Sequence, residues 1–338
     1  MRTTSPIRLA ALLVCLAALL AAGRYGPIAP YVQAVKSDKT ASIAFGGLEK
    51  TDAGPADLAE WIKAEAPKLA IPPVDAKIDR VWKAIPGYNG REVDIDATLA
   101  RAKELGLGPG GEPGRFPWVF RELEPAVQLD QLEPAPVYRG NPNKPMVGLM
   151  INVAWGDEYL PSMLKTLADE KAKATFFFDG TWLSKNLDKA REIVKAGHEA
   201  SNHAYTHPNM SRLGAERQRS EIAKTEALLR DGLGTSNKWF APPSGDFNEL
   251  TVRTASGLGL RTVLWTLDTI DWKKPPASGV VAKVSAQAEP GTLILMHPTS
   301  TTEQALAGII RAVREKGLEP GTVTDTLSSA RTEDRPAA

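Results

Sequence analysis

The residues able to do acid–base or metal chemistry are few and lie to one side. The chain has four histidines and one cysteine in 338 residues, and His198, His203, His207 and His297 all fall in its second half. His203 and His207 stand four apart in HAYTH, a spacing that on a helical turn brings both imidazoles to one side. There they can share a metal ion or act as hydrogen-bonded structural histidines. A single cysteine excludes an intrachain disulfide framework and a thiolate-rich cluster, so a transition metal would have to be held by His and carboxylate groups. Polar residues also gather where apolar runs end: Asn152, Asp179, His203, Ser244, Asp268 and His297. His198 follows Gly197 at a helix end, where a C-cap or exposed histidine is expected.

The elements around these residues alternate. VGLMINV, ATFFF, WFAPP, RTVLWTL and GTLILMH read as buried strands, and GTVTD closes the series. Between them YLPSMLKTLADEKA, KNLDKAREIVKAG, AERQRSEIAKTEALLRDGLG, NELTVRTASGLG and TEQALAGIIRAVREKG read as helices. Such βα alternation predicts a parallel sheet, doubly wound or closed into a barrel, over residues 146–329. In a parallel barrel the carboxyl ends of the strands meet on one face, which would gather the six polar residues on one rim. Trp155, Trp182, Trp239 and Trp265 could line a groove there, with Trp239 and Trp265 expected in the core because they sit inside apolar strands. AERQRSEIAKTEALLRD reads as a solvated face with i,i+4 ion pairs.

Composition narrows the partners. Lys+Arg 41 against Asp+Glu 40 produces no strong field, which argues against a nucleic-acid partner. No GxGxxG follows the first strand, so dinucleotide binding has no support. At the N-terminus Arg2 and Arg8 precede an apolar run of 14 residues, Leu9–Ala22, with Cys15 inside it. That run suits a secretory h-region and is short for a span of about 20 residues. Residues 1–23 are therefore expected to be a signal peptide, with an uncleaved anchor as the alternative. The mature protein would lie outside the cytoplasmic membrane, extracellular or in the cell envelope, touching the membrane only through this segment. Residues 24–71 read as a linker with one helix from Pro55, and 72–138 as a small α+β module whose helix Asp96 or Thr98 would cap. Residues 139–145 would connect it to the barrel, and no internal repeat is visible.

Several motifs in order, ATFFFDG, GHEASNHAYTH, LDTIDW and LILMHP, resemble those of the polysaccharide deacetylase family, the NodB-homology or carbohydrate esterase family 4 enzymes. The resemblance implies a distorted (β/α)-barrel with a zinc-dependent site that removes acetyl groups from amino-sugar polymers such as peptidoglycan. It places His203 and His207 as metal ligands, His297 as the catalytic acid, Asp268 as its supporting carboxylate and Trp272 as an aromatic wall of the sugar groove. APPSG, with Ser244, matches a third motif that normally begins with an Arg holding the base. The first motif, TFDDG, carries the base and a metal ligand. Against MINVA it puts Asn152 in place of the base and Val153 in place of the ligand, and neither can do that work. Asp179 is the candidate substitute ligand, with capping of the following helix as its competing role; Asp157 and Glu158 stand in the first loop. Two histidines and one carboxylate would leave zinc, or another divalent metal, an open position for water. INVAWG, APPSG and DTIDW resemble a sporulation-associated branch of the family, and PGYNGREVDIDATL is similar to a small peptidoglycan-associated module, a plain spacer being the alternative. Two functions follow: a cell-envelope deacetylase acting on amino-sugar glycans, or a non-catalytic glycan-binding protein.

Overall fold

A computed structural model describes residues 55–110 and 115–332; the expected leader lies outside the described residues. Among the described residues no helix is long and apolar enough to cross a membrane. The chain divides into two units, one holding 55–71 and 91–121 and the other 72–90 and 122–332. The expected 72–138 module is thus shared between the two.

Four short strands precede the barrel: β1 (Lys77–Asp79), β2 (Lys83–Ile85), β3 (Gly90–Val93) and β4 (Phe120–Leu123), with β1 antiparallel to β2. The smaller unit carries helices α1 (Pro55–Glu65) and α2 (Ile95–Glu104). Leu58, Ile62, Ala102 and Phe116 form its core, and Trp61 stacks on Trp118 at 5.5 Å. Asp94, rather than Asp96 or Thr98, caps α2 by accepting the Ala97 N–H at 2.9 Å.

The larger unit is built on β5 (Met146–Val153), β6 (Thr175–Phe178), β7 (Glu199–Asn202), β8 (Trp239–Phe240), β9 (Arg261–Thr262), β10 (Leu267–Asp268), β11 (Leu293–Met296) and β12 (Glu319–Gly321). They form one sheet in the order β10-β11-β5-β6-β7-β8-β9, with β12 also on β5 and every recorded pairing parallel. β9 and β10 stand at opposite ends of that order, so the sheet is a curled, unclosed barrel. Its strands are flanked by α3 (Leu160–Asp169), α4 (Gly180–Lys185), α5 (Leu187–Lys195), α6 (Ala215–Ala227), α7 (Glu249–Ser256), α8 (Ala277–Gln287), α9 (Ser300–Glu315) and α10 (Val323–Leu327).

All eight residues of β5 are buried, yet its two faces differ. Val147, Leu149, Ile151 and Val153 belong to the core shared with the helices, whereas Met150 packs inside the barrel with Phe177, Trp239 and Val263. The period-2 alternation of a strand produces this split. On α9, Leu306, Ile309, Ile310 and Val313 are fully buried on one face, each contributing about 1.5–3 kcal/mol of hydrophobic stabilisation.

Three local expectations are corrected. RTVLWTL is two strands, because Leu264 N donates to Val137 O at 2.8 Å and Thr266 Oγ1 to Tyr138 O at 2.7 Å, an incoming segment interrupting the ladder. Of GTVTD only Gly321 is strand, the end of β12, and Val323–Asp325 open helix α10, which Thr322 caps by accepting the Asp325 N–H. The helix α8, after Pro275 and Pro276, has no counterpart among the expected elements.

Candidate active site and its missing carboxylates

At the carboxyl ends of the strands, Asn152, His203, Ser244, Asp268 and His297 converge on a cleft of about 390 Å³. His207, Ala154, Trp155, Trp265 and Trp272 also face it. Five of the six polar residues expected on this rim are there. Asp179 is the exception.

His203 follows β7 and is buried, with its Nδ1 2.7 Å from Ala241 O. A carbonyl only accepts, so Nδ1 carries the proton and Nε2 is the nitrogen left bare. Burial, then the neighbouring His207 and more weakly His297, lowers its pKa to about 3. The His203 and His207 rings lie 5.1 Å apart, edge to face. They meet through a loop, not the helical turn that their spacing suggested, because Ala204 (φ 60°) and His207 (φ 53°) are both left-handed.

That strained loop is held from below by α6. Glu221, almost fully buried, accepts the Tyr205 and Thr206 N–H groups (3.1 and 2.7 Å), the Thr206 hydroxyl and Arg217. Thr225 Oγ1 donates to Ala204 O at 2.7 Å, and Asn202 Oδ1 accepts the Ala204 N–H at 2.8 Å. The helix therefore has one polar face turned inward, with Gln218, Glu221 and Thr225 buried beside Ile222. Their helical spacing in the sequence was the signal; the surrounding charges masked it.

His297, after β11, is oriented by Asp271 and not by Asp268. Asp271 Oδ1 lies 2.8 Å from His297 Nδ1, and Oδ2 accepts the His297 N–H at 2.6 Å and Thr302 Oγ1 at 2.5 Å. Burial opposes ionisation of Asp271, but the hydrogen bond and charge of His297, with Thr302 and the backbone N–H, hold its carboxyl below the usual range. Asp268 lines the cleft and accepts the Ile270 N–H at 2.8 Å. Ile270 adopts φ 56°, and this left-handed turn between the two aspartates sends them to different places.

Asp179 caps α4. Its Oδ1 accepts the Trp182 N–H at 2.9 Å and the Thr181 hydroxyl, so it is absent from the cleft wall. Among the described residues no group of three His, Cys, Asp or Glu side chains is placed to hold a metal ion. Two histidines alone do not make the three-ligand set of a catalytic zinc site, so the donors present do not fit the metal that the family implies.

The strand's alternation also corrects the first motif. Val153 is fully buried in the core beneath the helices, on the face turned away from the cleft. The motif's glycine supplies the register: Gly156 has φ 77°, and a Cβ there would collide with Pro298 O. With Gly156 as the last residue of TFDDG, the two aspartate positions fall on Ala154 and Trp155, which face the cleft. Asn152 takes the motif's threonine position. Trp155 is half-exposed, its ring parallel to that of His297 at 5.9 Å.

Trp265, expected in the core, faces the cleft with Trp155 and Trp272. Trp182 stacks on Phe178 at 5.4 Å, and Trp239, buried, donates from Nε1 to Thr324 Oγ1 at 2.7 Å. His198, expected as a C-cap or exposed histidine, lies at the helix end, its N–H on Ile193 O at 3.3 Å, but is buried against Phe176, and its Nδ1 accepts the Ala174 N–H at 3.3 Å.

Comparison with known proteins agrees with this geometry. The polysaccharide deacetylase family profile matches residues 139–263. A Bacillus subtilis protein, the uncharacterized YlxY, is 42% identical over 274 residues, covering 81% of this chain and 84% of its own. A peptidoglycan-N-acetylglucosamine deacetylase of Bacillus cereus is 32% identical over 185 residues, covering 53% of this chain and 67% of its own. The crystal structure of a carbohydrate esterase family 4 pseudoenzyme from Bacillus anthracis superposes with a TM-score of 0.75 at 43% identity, covering 82% of this chain and 96% of that one. A mutant of that pseudoenzyme with restored enzymatic activity matches equally well, with a TM-score of 0.75. On its curled parallel barrel, its motif order and these relatives, the chain belongs to the polysaccharide deacetylase family.

Proposed function

We propose that this protein binds amino-sugar glycan of the cell envelope in its cleft and does not hydrolyse it. One observation carries the reading: Ala154 and Trp155 occupy the rim positions of the family's aspartate pair. Alanine and tryptophan can neither accept a proton from water nor ligate a metal. What the cleft keeps suits binding. Trp155, Trp265 and Trp272 offer broad apolar faces for pyranose rings, while Asn152, Ser244 and His297 offer hydrogen bonds to hydroxyls. The named activity of relatives, peptidoglycan N-acetylglucosamine deacetylation, points to an amino-sugar polymer as the ligand class. Residues 1–23 would export or anchor the protein, and the peptidoglycan-module-like PGYNGREVDIDATL segment adds a second wall contact to the reading.

The test pairs binding with turnover. With N-acetylglucosamine oligomers and excess zinc, calorimetry is expected to register binding that Trp272→Ala weakens, with no acetate release above that of a His297→Ala control. Acetate release that disappears in His297→Ala would overturn the reading in favour of an enzyme.

A further inference from the structure

Asp268 belongs to the cleft wall but not to the His297 relay. It is the one carboxylate among the cleft-lining residues, and neither Lys nor Arg is among them. Its Oδ1 takes the Ile270 N–H, while no described residue donates to Oδ2. The nearby cations are engaged with groups other than the Asp268 carboxylate. Lys283 Nζ donates to the Asp268 main-chain oxygen at 2.7 Å, and Lys273 Nζ lies 4.9 Å from the Trp272 ring centroid. The other polar groups of the cleft are amide, hydroxyl and imidazole, and Asp271 behind them is already matched by His297 and Thr302. With no third ligand to recruit a metal, no Lys or Arg of the cleft lining pairs with the Asp268 carboxylate.

We infer that the cleft selects the de-N-acetylated sugar, with Asp268 and the tryptophan faces receiving a glucosaminyl ammonium. This rests on the non-catalytic reading and names the ligand within it: the product of the family's reaction rather than its substrate. An ammonium can donate to Oδ2 and lie against indole, as Lys273 does on Trp272. An N-acetyl group brings a neutral amide with a single N–H donor and a carbonyl oxygen that a carboxylate repels.

The experiment is calorimetric titration of the whole protein with glucosamine and N-acetylglucosamine oligomers of equal length, at a pH that keeps the amine protonated. The glucosamine oligomer is expected to bind on the order of tenfold tighter, the scale of one charge-assisted hydrogen bond. Added salt should narrow the gap. Asp268→Asn, checked for native circular dichroism, is expected to bring the two affinities to parity. Equal or tighter binding of the N-acetylated oligomer by the unaltered protein overturns the ammonium inference and leaves glycan binding standing. A preference that survives Asp268→Asn also overturns it. If neither oligomer binds, the glycan-binding reading itself fails.

Discussion

Asp271 and Asp268 stand three residues apart and occupy different environments, so replacing each by Asn is a sharp test of the assignment. The Asp271 side chain is fully buried and receives His297 N, His297 Nδ1 and Thr302 Oγ1 within 2.8 Å, with Thr299 Oγ1 at 3.4 Å. Asn in the same place can keep its oxygen on the His297 N–H and turn its amide toward the imidazole. His297 Nδ1 must then become an acceptor, its proton moving to Nε2 on the cleft side. The bonds persist but lose their charge assistance, a loss of about 2 kcal/mol over the three bonds. Asp271→Ala leaves a buried N–H without an acceptor and a cavity, about 4 kcal/mol. For a unit of this size 1 kcal/mol lowers the unfolding midpoint by roughly 2–4 °C, so about 4–8 °C is expected for Asp271→Asn and about twice that for Asp271→Ala. Asp268→Asn, with one backbone donor at a solvent-facing rim, should stay within about 2 °C. Thermal unfolding by circular dichroism reads the midpoints, and nitrogen-15 spectroscopy of His297 reads the tautomer. A midpoint loss for Asp268→Asn matching that of Asp271→Asn, or an unchanged tautomer in the latter, would refute the reasoning.

Trp155→Asp should complete a two-histidine, one-carboxylate set, raising zinc from substoichiometric to about one per chain by elemental analysis; Ala154→Asp added to it should be needed for acetate release. Val153→Asp, by contrast, puts a charge into the core beneath the helices, and soluble folded protein from that variant would contradict the motif register. Glu221→Ala removes the acceptor for two loop N–H groups and is expected to destabilise by about 2–4 kcal/mol in chemical denaturation; a loss under about 1 kcal/mol would show that the left-handed loop holds itself. His198 has its pKa lowered to about 4, by burial first and then by Lys173, while the unfolded chain protonates it near pH 6.5. Above that pH both states are neutral. Between pH 6.5 and 4 only the unfolded state gains the proton, so up to about 3 kcal/mol of stability should be lost as pH falls through this window. His198→Gln should reduce that slope and leave the part that buried His203, with its own lowered pKa, contributes in the same window; an unchanged slope would mean that His198 does not titrate there.

The fold was legible because a parallel barrel writes its strands as continuous apolar runs. VGLMINV, ATFFF and GTLILMH needed no partner information to be seen. The short β9 and β10 were fused in the reading, since their break comes from Val137 and Tyr138, more than 120 residues earlier. The site was legible in residue type and not in direction. His203, His207 and His297 are where their motifs imply, but which aspartate serves His297 depends on a left-handed Ile270 that no local propensity favours. The displaced motif at the end of β5 has a similar cause: the aspartate positions lie two places further on, just past the strand in the turn at Gly156, where the alternation that buries Val153 no longer applies. Glu221 is indistinguishable by residue type from the charges around it on α6, which are exposed.

The two halves of this cleft are tied to the rest of the molecule very unequally. Asp271 sits where α9 begins, bonded to Thr302 and beside its cap residue Thr299, so the aspartate–histidine pair doubles as a fastening for a helix that carries much of the core. Ala154 and Trp155 cap no helix, and Trp155 lies against His297 at the rim. A lineage that stopped needing hydrolysis could exchange the rim pair without unfolding, yet would be held to the aspartate and histidine by stability alone. A legible DxxDW and LMH in other members of this family is therefore weak testimony for activity. The informative letters are the two between the end of the first strand and its glycine, and two codons separate this cleft from one with both a third ligand and a base.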